Sequence, residues 1–234
     1  MKKIILYTLI LILPIFICAK IVSTYSNDYS CEYFSIKSSN KFHVITFKKD
    51  KVKFGVSNST KGNFNFYVNS NFFGTNGKAI GGVVMDGKRK SQRVNKGGSF
   101  IVKDGKPNIV FGSVDNCQYE SQSIIWVLKN GVKNTGMLKQ PHAKEKVMRL
   151  LMGKNKKGEI VVIHSNQYIL VTMSEIVNVA VDNGVTDAII LDSGSSVDLM
   201  LTNGSFSHSV KSVPSEIKGL VGIKEPPVYI TGSF

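Results

Sequence analysis

Short apolar runs alternate along this chain with breaks rich in Gly, Asn, Asp and Lys, the pattern of strands joined by tight turns. Strand signals follow one another at Cys31 to Ile36, Phe42 to Phe47, Val52 to Val56 and Phe64 to Val68. The second sets Phe42, Val44 and Thr46 against His43, Ile45 and Phe47, which suits a half-buried or sandwiched antiparallel strand. Ala79 to Met85 runs into Asp86-Gly87, a hairpin signal, and Lys103-Asp104-Gly105-Lys106-Pro107 repeats that grammar between Ser99 to Val102 and Asn108 to Phe111. Ser123 to Leu128 leads to Asn130-Gly131, and Ile160 to His164 follows Lys156-Lys157-Gly158.

The periodicity changes at Thr172. Thr172-Met173-Ser174-Glu175 is a capping box, Met173, Ile176, Val177 and Ala180 form one apolar face, and Asn183-Gly184 ends the helix. Ala188 to Leu191 then reads as a short buried strand that delivers Asp192 into Ser193-Gly194-Ser195-Ser196. Val197 to Leu201, Gly219 to Ile223 and Val228 to Ile230 give further strands, interrupted by loops at Ser207-His208-Ser209 and Val213-Pro214-Ser215. The pattern predicts an α+β fold: a single domain with a large mixed, mostly antiparallel sheet system and few helices.

The amino-terminal residues break this pattern. Lys2-Lys3 precede an uncharged, Ile- and Leu-rich block from Ile4 to Ala19, so residues 1–22 read as a signal peptide or an N-terminal membrane anchor. Residues 23–30 form a polar tether, and residues 31–234 the folded domain. Such a leader places the protein outside the cytoplasm, in the periplasm or extracellular space, with possible attachment to the membrane. In an oxidising compartment Cys31 and Cys117 invite a disulfide, against the alternative of two separate buried thiols.

The formal net charge of +14 favours anionic partners: phosphate-bearing glycans, an anionic membrane surface or nucleic acid. No RNA- or DNA-binding signature accompanies the charge, and the leader directs the chain away from nucleic acid. Asp192, at a strand end and followed by small residues, is the leading catalytic candidate, since a ligand can approach the backbone closely there. An ordinary Asp/Ser/Gly turn is the structural alternative. Arg149 suits a phosphate clamp, its planar fork matching two phosphate oxygens; a surface ion pair is the plainer reading. Asp198 is a second possible carboxylate or a solvent-facing strand residue, and Glu175 belongs to its capping box. His43 reads as a strand-face histidine, while His164 and His208 read as structural or solvated turn residues. Without histidine or cysteine partners at ligand spacing, no zinc site and no cofactor are expected; a calcium ion on loop aspartates stays open.

Taken in order, several segments resemble the phosphodiester glycosidase family. Asn69-Ser70-Asn71-Phe72-Phe73 is similar to that family's Asn-Gly-Gly-Phe-Phe-like segment, and Gly81 to Gly87 to its glycine-led strand with an Asp-Gly turn. Arg149 to Ile163 is similar to its Arg-led strand and hairpin, and Leu191-Asp192-Ser193-Gly194-Ser195-Ser196 to its Leu-Asp-Gly-Gly-Gly-Ser segment. Val213-Pro214-Ser215 through Gly222 resembles its closing segment. The resemblance implies an exported hydrolase that cleaves a sugar-1-phosphodiester, N-acetylglucosamine-like, in envelope or secreted polysaccharide. It implies catalysis by Asp192 with Arg149, and substrate contacts from Asn69, Asn71, Phe73, Ser193, Gly194, Ser195 and Ser196. The serines at 193 and 195, where the family has glycine, add Cβ atoms that narrow approach to the backbone. They motivate a second expectation, a non-catalytic binder of anionic glycans on the same fold.

Overall fold

Strands buried on both faces read as nearly continuous apolar runs, and the central strands of the largest sheet are of this kind. The computed structural model describes residues 28–112, 114–213 and 226–234. The apolar leader of residues 1–22 and the strand expected at Gly219 to Ile223 lie outside the described residues. So does the tether up to residue 27, whereas Tyr29 and Ser30 already pair as a strand.

Among the described residues the strands form three sheets. The eight-stranded sheet contains β1 (Tyr29–Ser30), β2 (Phe34–Ser38), β3 (Phe42–Phe47), β11 (Trp126–Lys129), β12 (Val132–Lys133), β13 (Leu150–Asn155), β14 (Ile160–Ser165) and β15 (Val185–Ile190), in the order β1-β2-β3-β14-β13-β15-β11-β12. A five-stranded sheet contains β4 (Lys53–Ser57), β5 (Phe66–Asn69), β16 (Asp198–Asn203), β17 (Phe206–Lys211) and β18 (Tyr229–Ser233), ordered β17-β16-β5-β18-β4. The other contains β6 (Val83–Met85), β7 (Lys88–Ser91), β8 (Gly98–Lys103), β9 (Lys106–Val110) and β10 (Tyr119–Ser123), ordered β7-β6-β10-β8-β9. The pairings are antiparallel. Three helices, α1 (Thr135–Leu138), α2 (Pro141–Lys144) and α3 (Met173–Asp182), complete a sheet-rich domain of the class expected.

Side-chain alternation splits the core in two. Ile45, Phe47, Leu150, Met152, Ile160, Val162 and Ile189 point to one face of the large sheet and meet Phe54, Phe66, Val68, Leu199 and Ile230 of the smaller sheet. Val44, Leu151, Val161, Ile163, Ala188 and Ile190 point to the other and are covered by Met173, Ile176, Val177 and Ala180 of α3. Met173, Ile176 and Val177 are fully buried, each stabilising the fold by about 1.5–3 kcal/mol. The helix starts where expected: Thr172 Oγ1 accepts from the Glu175 N–H at 3.3 Å, and the Thr172 N–H donates to Glu175 Oε2 at 2.8 Å. That backbone bond, helped by Lys41, holds the Glu175 carboxyl down to about 2. The three turns expected from Asp86-Gly87, Asp104-Gly105 and Asn130-Gly131 have positive φ at both residues, which L-residues other than Asn and Asp rarely accept.

Three expectations change. Ser123 to Leu128 is not one strand: the chain turns at Ile124-Ile125 and passes from β10 to β11 in another sheet, with Ser123 Oγ accepting from the Ile125 N–H at 3.1 Å. Ser207-His208-Ser209 is not a loop but lies within β17, where Leu201 pairs with His208. Cys31 and Cys117 are free thiols packed in separate apolar clusters, so the disulfide is not formed; burial pushes the Cys117 thiol upward.

Candidate active site

The end of β15 is where the expected residues meet. The Asp192 N–H donates to Ser70 O at 2.9 Å, and Asn69 Nδ2 donates to Asp192 O at 2.8 Å. On the other side the Leu191 N–H donates to Leu150 O at 3.0 Å and the Gly194 N–H to Met148 O at 2.8 Å, so the loop straddles Arg149. Three backbone segments separated widely in sequence are thereby fixed around one carboxylate.

The serines after Asp192 shape its environment. The Ser193 N–H donates to Asp192 Oδ1 at 3.0 Å, while Ser193 Oγ turns back to Leu191 O at 2.9 Å. Ser193 has φ −123° and ψ −177°, an extended conformation open to any residue, so this backbone does not need the glycine found in the family. Gly194, at φ +70°, opens a single 3₁₀ turn through Ser196. Ser195 is exposed; Ser196 is buried and its side chain hydrogen-bonds Asp192. Burial raises the Asp192 carboxyl to about 6, against the lowering effects of Ser196 and of the Ser193 N–H. A carboxylate that titrates near neutral pH suits proton transfer.

Arg149 is tied into the fold through one arm of its guanidinium. The residue is 5% exposed, and Nη2 donates to His142 O at 2.7 Å and Glu145 O at 2.8 Å, tying the end of α2 beside the Asp192 loop. Burial lowers its pKa, and the acid that counteracts this is Glu145 rather than Asp192. Its Nε is buried with no hydrogen-bond partner among the described residues.

Asn69 and Asn71 are fully buried, and both amides are engaged with protein groups. Besides its bond to Asp192 O, Asn69 accepts from the Asp198 N–H at 2.9 Å. Asn71 Nδ2 donates to Gln122 O at 2.8 Å, and its Oδ1 contacts the Ser121 hydroxyl. Phe72 packs against the helix-side core, whereas Phe73 is half-buried and bridges to Ala79. Asp198 is 2% exposed, not solvent-facing, with Lys211 Nζ at 3.9 Å from Oδ2.

Sequence reasoning passed over what supports this loop. β10 reads Tyr-Glu-Ser-Gln-Ser, yet its last four residues are buried. Ser121 Oγ lies 2.8 Å from Ser70 Oγ, which joins β10 to the segment that accepts from Asp192. Gln122 Oε1 accepts from the Gly82 N–H at 2.8 Å, and its Nε2 donates to Val94 O at 2.8 Å. Glu120, 0% exposed, is held by Arg93, by Arg89 at 3.2 Å and by Ser99 Oγ at 2.9 Å. No hydropathy signal marks such a strand; the only hint is that its polar residues require partners if buried.

Three of the four histidines, His43, His164 and His208, also converge, at the edge of the core between two sheets. His43 and His164 face each other across β3 and β14, and β17 brings His208 to within 4.8 Å and 5.1 Å of their ring centroids. His164 Nδ1 sits 2.9 Å from Ser165 O, so it carries the proton, and His164 Nε2 accepts from His208 Nε2 at 2.9 Å. Burial lowers His43 and His208 to about 4 and His164 well below its ordinary value. Among the described residues no group of three or more His, Cys, Asp or Glu has the geometry to hold a metal ion.

No curated protein matches the chain. Solved structures do. The catalytic domain of zebrafish N-acetylglucosamine-1-phosphodiester alpha-N-acetylglucosaminidase, described as auto-inhibited by its pro-peptide, is similar with a TM-score of 0.57 and 16% identity over 88% of this chain and 80% of that one. A hypothetical protein from Synechocystis gives a TM-score of 0.58 at 10% identity, covering 88% of this chain and 61% of that chain. At these identities the likeness is one of fold. The family profile described as Phosphodiester glycosidase matches residues 62–222, which include the Asn69–Phe73, Arg149 and Asp192–Ser196 segments. The chain belongs to the phosphodiester glycosidase family.

Proposed function

We propose that the protein hydrolyses a sugar-1-phosphodiester, with Asp192 as the base and a sugar of the N-acetylglucosamine type as the group released. The observation that carries this reading is the Asp192 carboxyl itself: raised by burial to about 6, oriented by Ser196 and the Ser193 N–H, and set in a segment matched by the family. The phosphate is a good leaving group and departs without protonation. Ionised Asp192 takes a proton from a water molecule as its oxygen bonds to the anomeric carbon and the bond from that carbon to the phosphate oxygen breaks. Direct attack by the carboxylate is the other route open to one acid. Half-buried Phe73 offers a sugar face, exposed Ser195 a hydroxyl, and Arg149 acts by positioning, fastening residues 142–145 to the strand that holds the Asp192 loop.

In this reading the protein is exported, through the apolar run behind Lys2-Lys3, to the periplasm or the cell exterior. The substrate is an envelope or secreted polysaccharide, and the net charge of +14 supports an anionic one. Asp192→Asn should lower release of free sugar from N-acetylglucosamine-1-phosphodiesters about 10²–10⁴-fold while preserving the fold. Unchanged turnover in that variant would remove Asp192 from the reaction. The second reading, a glycan binder without turnover, draws on the engagement of Arg149 with carbonyls rather than a free phosphate site. Parent protein that binds such a substrate for hours without releasing sugar would establish it.

A further inference from the structure

The end of the domain opposite Asp192 carries a built cationic hollow. Three turns meet there: the one after β3, the hairpin between β8 and β9, and the hairpin between β13 and β14. Together they enclose about 380 Å³. Lys48, Lys49, Lys103, Lys106 and Lys154 line it, against Asp50 and Asp104. Among the described residues none of these lysines has a carboxylate within 4.0 Å, although Lys48 Nζ donates to Cys31 O and acts on Glu32. Its floor is the apolar core, through Phe47, Val52, Phe54 and Ile101, which are all at most 8% exposed. From Arg149 beside the Asp192 loop to Lys154 is five strand residues, a distance of about 17 Å.

Like charges gathered around a low-dielectric floor repel one another and focus a positive potential into the hollow, a cost recovered when an anion enters. The turns are fixed in shape, since Asp50 at φ 60°, Asp104 at φ 51° and Gly158 at φ 79° adopt left-handed conformations that extended strands do not. Lys154 is further held by Asn108 Oδ1 at 2.7 Å. Lysines are point charges on flexible stems, suited to phosphates that present no fixed plane, whereas a single planar carboxylate is matched better by arginine. An apolar floor beneath cationic walls fits a ligand with both anionic groups and C–H faces.

We propose that this hollow is a second binding site, separate from Asp192, for a phosphodiester-linked glycan or polyol chain. It does not depend on the reaction assigned to Asp192. The test uses the full chain and a glycerol-phosphate oligomer as probe, with affinity measured by calorimetry at two salt concentrations. Lys103→Glu with Lys154→Glu should weaken binding at least tenfold and flatten its salt dependence. Lys88→Glu with Lys90→Glu, the same charge change on the exposed strand β7, should alter it by less than about twofold. Lys103→Gln with Lys154→Gln should give an intermediate loss, and unchanged thermal unfolding confirms that each variant folds. Equal losses from both charge-reversed pairs would reduce the effect to overall charge and overturn the proposal. So would binding to phosphatidylglycerol vesicles that needs Lys103 and Lys154 when oligomer binding does not.

Discussion

Asp192 and Glu120 are two carboxylates withdrawn from water in opposite ways. Glu120 lies in β10 between two guanidiniums and a hydroxyl, so its charge is matched where it sits. Asp192 has one hydroxyl and one N–H, and no cation contributes to its ionisation. A matched carboxylate is rigid and inert; an unmatched one is held near neutral pKa and stays available to take a proton. The comparison separates a carboxylate that builds the domain from one that can do chemistry; the sequence marks Asp192 by the apolar run that ends at it and gives Glu120 no such mark.

Exchanging each for its amide tests the difference most directly. Asp192→Asn should remove the activity by the factors given above yet leave the protein at least as stable at pH 7, because the amide no longer has to be ionised in a partly buried place. Glu120→Gln should do the reverse to the fold. It leaves Arg93 at 20% exposure and Arg89 at 33% without their acid, for a loss of about 3 kcal/mol in urea unfolding. A Glu120→Gln variant as stable as the parent would show that the pair contributes nothing net.

What could be read beforehand follows the range of the interactions. Thr172 and Glu175 are three residues apart, and the Asp-Gly and Asn-Gly turns are adjacent pairs, so their geometry is written locally. Asp192 was legible because a short apolar run ends at it. Glu120 meets Arg93 and Arg89 across 27 and 31 residues, and His164 meets His208 across 44. Those partners are chosen by sheet order, which no local pattern encodes. Arg149 shows the remaining gap: its residue type fits a phosphate, and no local pattern tells that its Nη2 bonds two carbonyls in and just after α2.

The histidine seam extends the comparison to groups withdrawn as bases. His43 and His208 titrate near 4 in the fold and near the ordinary 6.5 when unfolded, so the unfolded chain binds protons first as pH falls. Stability should therefore be fully present above about pH 6.5 and decline toward pH 4, by up to about 1.4 kcal/mol per pH unit for each histidine. His208→Gln should make unfolding midpoints less sensitive to pH across that window. A parent protein whose stability is flat between pH 6.5 and 4 would mean that the cluster is already charged or open.

The smallest effect probes the boundary between the two kinds of carboxylate. Ser196 lowers the Asp192 pKa by bonding its ionised form, opposing the larger upward effect of burial. Ser196→Ala removes a bond worth about 0.5–1.5 kcal/mol, so the pKa should move up from about 6 by roughly half a unit to one unit. Since the proposed base works ionised, activity should rise with pH through that midpoint, and the rising limb of kcat/KM should shift to higher pH with its plateau retained. A shift to lower pH would mean that Ser196 supports the protonated acid instead. Activity lost above pH 6 rather than below it would be a separate result, and would make Asp192 the proton donor of the reaction.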